Sequence, residues 1–487
     1  MARMSWKRLS HLSRKEIEQF QNKELREFVR HRIPFSPFYR RLFAEKNLGF
    51  DDIKTTADLV KLPFTTKEDI APTKKEPKRP INFVLQPNAD LLRQYSSKRY
   101  LALLALQKAC GMNVKARLEQ LFKPIHIHFT TGRTALPTPF LYSASDIERL
   151  KEAGNRMLDC FGISRDEIAI NAFPYAPHLA FWQAFYALNS NGLLSLQTGG
   201  GKILGTEKIA KAIESMKANV LIAMPGYAYH LLKTAMEEKI RLSSLRHIIF
   251  GGERVPEGLR RNIKDLLRIP RLKIMSTYAL TEGKVAWPQC CEQSGYHLYP
   301  DMEFVEIVDK RGERVGEGER GEIVYTSLGW HGSVVLRYKT GDISSLELER
   351  CQFCGRTVPR ISTAIERSSE FKEFRLTKIK GMLINLNAFF PLLSARRDIE
   401  EWQVELRKRR NDPYEIDELY VYIAPKKGIN VEKLKAELQH EIKNETDVSP
   451  TAIIKMSKAE LLSRLGMETE LKEKRIVDKR PKPRTRS

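Results

Sequence analysis

Apolar residues recur at helical spacing early in the chain, where Ile17, Phe20, Leu25, Phe28 and Val29 are interleaved with charged residues until Pro34-Phe35-Ser36-Pro37 breaks the pattern. The spacing predicts a helical start over residues 14–48, ended by prolines that lack an N–H and fix φ. From Thr73 to Pro80 the chain is polar and proline-broken, and residues 91–112 return to an apolar helical pattern, so 73–124 reads as an insertion. The period then changes. Val220 to Met224, His247 to Phe250 and Leu272 to Met275 are short continuous apolar runs ended by Pro-Gly, Gly-Gly and Ser-Thr, and the first two lead into helical patterns over 227–236 and 255–267. Continuous apolar runs with helices between them predict a parallel sheet covered on both faces, with ligands at the C-terminal ends of its strands.

Farther along the character changes: Phe304 to Val308, Glu322 to Tyr325 and Val334 to Tyr338, joined by the Gly-rich charged stretch Arg311 to Gly321, predict an antiparallel meander within 302–345. Beyond 367 a smaller α+β unit is expected, with strands at 403–406, 419–423 and 452–455 and a helix carrying Leu434, Leu438 and Ile442. The expected organisation is therefore a large domain over 1–366, with a helical start at 1–72, and a small one over 367–487 ending in a basic tail.

Composition narrows the class. With 487 residues, 42% hydrophobic, the chain can build the cores of several domains. No stretch approaches the roughly 20 apolar residues of a spanning helix, and the N-terminus runs directly into charged helix, so a cytoplasmic protein without a membrane span is expected. A net charge of +23 attracts anions: nucleotides, CoA, nucleic acid or acidic lipid. No RRM, zinc-finger or helix-turn-helix pattern gives a specific nucleic-acid signature. Cys110 and Cys160 stand alone in apolar contexts and are expected as small core residues. Cys290 and His297, followed by Cys351 and Cys354, form a tetrahedral zinc pattern whose four ligands suit a structural site; free thiols in a reducing cytoplasm are the alternative.

Tyr278-Ala279-Leu280-Thr281-Glu282 and Arg337-Tyr338-Lys339-Thr340-Gly341-Asp342 each place a carboxylate and hydroxyls at the expected end of a strand, about sixty residues apart. Their order resembles that of adenylate-forming enzymes. Pro63 to Asp69, Thr198-Gly199-Gly200-Gly201, Gly251-Gly252-Glu253, the two motifs above and Cys354-Gly355-Arg356 through Arg360 resemble, in that order and over nearly the whole chain, the phenylacetate-CoA ligases. The resemblance implies an α/β fold, with a large AMP-binding domain of helix-covered parallel sheets plus an antiparallel β subdomain, and a small α+β C-terminal lid that rotates between half-reactions.

It also implies site residues. Thr130, Thr131, Gly132, Arg133 and Thr134 match the phosphate loop, which departs from the family pattern at Arg133, Ala135 and Leu136. Tyr278 would lie against adenine beside Gly251, Gly252 and Glu253, Thr281 would touch phosphate, and Glu282 would hold Mg²⁺. Asp342 and Arg367 would meet the ribose of ATP or AMP, and Lys472 would stabilise charge as the acyl-adenylate forms. The implied activity is ATP-dependent activation of a carboxylic acid with release of pyrophosphate, then transfer to CoA. The segment Asn171 to Trp182 aligns with the acid-binding stretch and suits an apolar acid, aromatic or medium-chain, or else an ordinary core helix. The acceptor stays open among CoA, an amine, a hydroxyl and a carrier-protein thiol, and a homodimer stays open too. The altered loop favours a catalytically decayed scaffold protein; retention of Glu282, Asp342 and Lys472 opposes it.

Overall fold

The computed structural model describes residues 4–130, 138–253, 255, 257–367, 376–379, 382–386, 389–411, 417–446, 448–466 and 473–480. They fall into two compact units. One comprises Met1–Asn171, Tyr175–Leu196 and Lys273–Glu366; the other comprises Ala172–Pro174, Gln197–Leu272 and Arg367–Ser487.

In the first unit, helix Arg14–His31 starts at Ser13, whose Oγ accepts from the Glu16 N–H while the Glu16 carboxylate accepts from the Ser13 N–H. This reciprocal cap satisfies donors that the first turn leaves unpaired. The helix buries Ile17, Gln21, Leu25, Phe28 and Val29, and the Gln21 amide donates to the Glu303 carbonyl at 3.0 Å. Pro34 and Pro37 sit in the first turns of the short helices Ile33–Phe35 and Pro37–Glu45, where no N–H is needed. Helix Ala144–Phe161 carries Arg156, whose guanidinium forks onto Asp301 at 2.5 and 2.9 Å beneath the rings of Trp6 and Tyr299.

Strands Glu303–Val308, Gly321–Ser327 and Tyr338–Ser344 form the expected antiparallel meander, with one difference. Val334 to Arg337 are not strand. Their N–H groups go to the Phe83 carbonyl, Ser327 Oγ, the Tyr39 hydroxyl and Thr326 Oγ1, and Arg337 has φ +46°. Three of these four N–H groups are therefore met by side chains rather than by a ladder, and the Thr340-Gly341-Asp342 motif lies inside the third strand instead of past its end. Cys160 is buried as expected, whereas Cys110 is exposed at the end of helix Lys98–Ala109.

In the second unit, strands Val220–Ala223 and His247–Phe250 pair in parallel, all eight residues buried, and are followed by helices Pro225–Glu237 and Glu257–Leu267. The third apolar run, in the first unit, is also strand, Lys273–Leu280, and it turns back into an antiparallel hairpin with Val285–Pro288. Near the C-terminus a four-stranded sheet runs in the order Ala452–Lys455, Asp417–Pro425, Ile399–Lys408, Ile476–Asp478, antiparallel at its centre and parallel at both edges. Helix Val431–Thr446 packs Leu434, Leu438 and Ile442 into its core. Within this unit, Lys233 donates to the Glu400 carbonyl at 3.1 Å, and buried Arg475 bridges Glu401 at 2.8 Å and Glu473 at 3.0 Å. Among the described residues no helix is long and apolar enough to cross a membrane.

Glu303 links fold to pH. Its buried carboxylate accepts from Trp287 Nε1 at 2.8 Å and from the Tyr299 N–H, but burial outweighs these bonds and pushes its pKa to about 8. The unfolded side chain titrates near 4.5, so the folded state holds an extra proton across that window and stability falls as pH rises through it. Glu303→Gln is expected to remove this part of the decline: the melting temperature of the variant relative to wild type should rise between about pH 5 and pH 9. An offset that is flat with pH would contradict the assignment.

Candidate functional site

The hairpin between Lys273–Leu280 and Val285–Pro288 turns at Thr281 to Lys284, closed by Gly283 N–H to Leu280 O at 3.1 Å and Lys284 N–H to Thr281 O at 3.2 Å. Lys284 takes a left-handed φ of +61°, uncommon for a side-chain-bearing residue, and its ammonium is fully buried 2.8 Å from Asp146 Oδ2. Asp146 also accepts from the N–H groups of His331 at 2.8 Å and Gly332 at 2.7 Å. Burial works to raise its pKa; Lys284 and these amides overcome that and hold it below the ordinary range. The turn bearing Thr281 and Glu282, both half-buried, is thereby pinned from below.

Two phenol–carboxylate contacts lie beside that turn. Tyr278 donates to Asp342 Oδ2 at 2.7 Å, and Tyr338 donates to Glu282 Oε1 at 3.1 Å. Burial, with Glu282 alongside, drives the Tyr338 pKa well up, so the phenol keeps its proton and remains a donor. The Tyr278 ring stands 5.4 Å from that of Trp287 and 6.0 Å from that of Tyr296. Asp342 is presented by an irregular strand: the register with Gly321–Ser327 shifts between Glu322 and Val324, and Gly341 has φ +75°. Arg337 is architectural. It donates to Leu62 O at 2.9 Å, lies 4.1 Å over the Phe64 ring and pairs with Glu306, so it ties the Pro63–Asp69 motif to the meander.

The structure thus brings Tyr278 to Asp342 and sets Glu282, next to Thr281, against Tyr338. Gly251, Gly252 and Glu253 follow strand His247–Phe250 in the second unit, where Gly252 has φ +81°. Thr198 Oγ1 accepts from the Gly200 N–H at 3.1 Å in the same unit, and Gly199 and Gly200, which follow it, both have positive φ. Thr130 is buried, and its N–H donates to the Thr138 carbonyl at 3.0 Å. Thr131, Gly132, Arg133, Thr134 and Lys472 lie outside the described residues, and of Arg367 only the backbone, in strand Glu366–Arg367, is described.

A second cluster is built on a small sheet, Leu346–Glu347, Arg360–Ile361 and Tyr296–His297. His297 sits on its edge strand, while Cys351 and Cys354 lie in the connection between the other two, in a turn closed by Cys351 N–H to Arg356 O and Gly355 N–H to Cys351 O, both 2.8 Å. Cys290 enters from just beyond strand Val285–Pro288. Ligand atoms of all four residues lie within 4.8 Å of one another, with Cys290 and Cys351 sulfurs 3.7 Å apart and Cys354 Sγ 3.3 Å from His297 Nε2. A tetrahedral ion bound by thiolates at about 2.3 Å needs sulfurs about 3.8 Å apart, so the donor set fits. His297 Nδ1 faces the Pro288 carbonyl at 3.3 Å, which sets the tautomer that leaves Nε2 for a metal.

Sequence reasoning did not single out Lys284 and Asp146, Tyr338 as the partner of Glu282, or a third group: His126 Nε2 lies 2.9 Å from His128 Nε2, and His128 Nδ1 2.8 Å from the Tyr142 hydroxyl. Burial pushes the His128 pKa down to about 3 and lowers that of His126, so both are neutral imidazoles at neutral pH. The His126 ring is 4.9 Å from that of Trp182, which also neighbours Tyr175, Phe181, Phe185 and Tyr186. One available signal was a lysine immediately before the apolar run Val285-Ala286-Trp287.

Lys284→Met leaves Asp146 as a buried charge without its cation, a change that costs about 3–5 kcal/mol. The expected result is a lower first transition in calorimetry, and partial recovery when Asp146→Asn is added; no recovery in the double variant would refute the pairing.

Comparison with known proteins follows the same lines. A phenylacetate-coenzyme A ligase of Aromatoleum evansii is 25% identical over 96% of this chain and 96% of its own length, and one of Thermus thermophilus is 24% identical over 83% and 84%. The structure of a 2-hydroxyisobutyryl-CoA ligase in its postadenylation state shares the fold, with a TM-score of 0.76 at 21% identity over 97% of this chain and 92% of that one. Residues 56–330, more than half of the chain, match the AMP-binding enzyme family, and the chain belongs to it.

Proposed function

We propose that this enzyme uses ATP and Mg²⁺ to convert a carboxylic acid to its acyl-adenylate and then transfers the acyl group to CoA. The observation that carries the reading is the pair of phenol–carboxylate contacts, Tyr278 to Asp342 and Tyr338 to Glu282, on a turn immobilised by Lys284 and Asp146. In the first half-reaction a carboxylate oxygen attacks the α-phosphorus and the bond to the bridging oxygen breaks, releasing pyrophosphate. In the second, the CoA thiolate attacks the acyl carbonyl carbon and AMP leaves. Neither step needs a protein nucleophile, so the work of the residues is positioning and charge stabilisation.

Asp342 accepts the ribose hydroxyls, oriented by the Tyr278 bond, and the Tyr278 ring faces adenine together with Gly251, Gly252 and Glu253. Glu282, held in place by Tyr338, is the ligand for Mg²⁺, which neutralises phosphate charge when bound. Thr281 donates its hydroxyl to phosphate, as do the amides and side chains of Thr130, Thr131, Gly132, Arg133 and Thr134, with the Arg133 fork taking a role that small residues fill elsewhere. Residues 367–487 act as the lid: Arg367 meets the ribose at its hinge and Lys472 meets the developing negative charge. An aromatic or medium-chain acid suits the wall formed by Trp182, its aromatic neighbours and the neutral His126. The phenylacetate-coenzyme A ligases similar to this chain along most of their length support CoA as acceptor. Cys290, His297, Cys351 and Cys354 hold a structural Zn²⁺, and a reducing cytoplasm keeps those thiols available as ligands.

Acid-dependent exchange of labelled pyrophosphate into ATP, run with pools of aromatic, fatty and amino acids, tests the reading directly. Exchange is expected with an aromatic or medium-chain pool, and Glu282→Ala and Asp342→Ala should each lower it by about 100-fold or more; silence from the folded, metal-loaded protein across all pools would overturn the activity. Elemental analysis of purified protein should return about one zinc per chain, and Cys354→Ser should lose the metal and melt at a lower temperature. Full stability without bound metal would argue for plain thiols.

A further inference from the structure

Helix Lys98–Ala109, in the inserted segment, is covered on one side only. It begins at Ser97, whose Oγ accepts from the Tyr100 N–H at 3.2 Å, and its Ala, Leu, Gln and Lys residues are strong helix formers. The inner face buries Leu104 and Gln107, and Tyr100 takes Arg32 over its ring at 5.1 Å. The next helix, Val114–Phe122, anchors the segment further: Phe122 packs edge-on to Phe35 and His331.

The outer face has no such cover. Ala102, Leu103, Ala105, Leu106, Ala109 and Cys110 are all exposed, with Leu103 at 41% and Leu106 at 62%, and Met112 follows in the connection at 51%. Residues 99, 102, 103, 106, 109 and 110 fall on one face at three- and four-residue spacing, so the apolar side chains form a stripe along the helix with Arg99 at its start. Lys98, Arg99 and Lys108 of the same helix are exposed as well. From Thr73 to Pro124 the chain carries eleven Lys and Arg against three Asp and Glu, a net +8 within a total of +23. Exposed leucines beside exposed cations suit the boundary of an anionic membrane, where cations meet headgroups and apolar side chains meet acyl chains.

We infer that the face formed by Leu103 and Leu106, with Lys98, Arg99 and Lys108, docks this enzyme onto an anionic phospholipid bilayer. Charge complementarity selects that occupant. A second copy stacked on the same face would set its cations against an identical set, because a two-fold contact presents one patch to itself. A bilayer bearing negative headgroups attracts each cation and receives the leucines in its outer acyl region. Attachment is peripheral and reversible, since one helix buries few apolar side chains. It concerns surface residues outside the nucleotide and metal sites, so it stands or falls separately from the proposed reaction.

Co-sedimentation of the full-length protein with vesicles tests it, using phosphatidylcholine alone and phosphatidylcholine with phosphatidylserine at about 7 to 3. Binding to the mixed vesicles only is expected, with Leu103→Glu/Leu106→Glu weakening it about tenfold or more and Lys98→Gln/Arg99→Gln weakening it less. Both pairs are exposed, and far-UV circular dichroism of each variant should match wild type. Three results would overturn the inference: no binding to the mixed vesicles, binding that the leucine variant leaves unchanged and that therefore reflects net charge alone, or a self-association or acidic-protein complex lost in the leucine variant while vesicles remain unbound.

Discussion

The buried ion pair between Lys284 and Asp146 is the constraint on which the first unit's site depends. A lysine ammonium with no solvent exposure is expensive unless a counter-charge is within reach, and here the counter-charge is itself fixed by the amides of His331 and Gly332. Asp146 also sits in the first turn of helix Ala144–Phe161, where a carboxylate complements the helix dipole and the Ser143 cap. One side chain therefore joins a helix start, the segment at 331–332 and the tip of a hairpin. Because the pair cannot be separated without stranding a charge, Thr281 and Glu282 are held where the turn puts them.

The Cys/His cluster lies at the opposite end of that hairpin. Its small sheet has only two residues per strand, too few to be stable alone, and the cluster of Cys290, His297, Cys351 and Cys354 gathers its connections at one point. Cys290 and the Pro288 carbonyl, which orients His297, both follow directly from strand Val285–Pro288, so the strand opposite Tyr278 is anchored at its far end. The ring of Tyr278, standing against Trp287 and Tyr296, inherits that rigidity. Catalysis by positioning requires such support, because the reacting groups belong to the substrates.

The excess positive charge divides into different physical roles. Arg156, Arg337 and Arg475 are buried and paired, and they organise the interior. The cations around helix Lys98–Ala109 are exposed beside apolar side chains, where opposite charge and apolar surface act on the same partner. A net figure of +23 contains both kinds and distinguishes neither.

The chain read alone was enough for the family, the order of the elements and the membership of the Cys/His cluster. Those features are local: apolar period, glycine and proline punctuation, and Cys/His spacing are set by neighbours along the chain. It also marked Tyr278, Glu282 and Asp342, because a motif carries its residue types wherever the chain folds. Tertiary structure decided the rest. Val334 to Arg337 have the composition of a strand, but their N–H groups find side chains such as Tyr39 from far away in sequence, and the ladder begins only at Tyr338. Cys110 has apolar neighbours in sequence, yet it is exposed. Lys284 and Asp146 lie far apart along the chain, as do Tyr338 and Glu282, and no periodicity reports a contact that exists only after the chain has closed on itself; burial then converts those contacts from optional to obligatory.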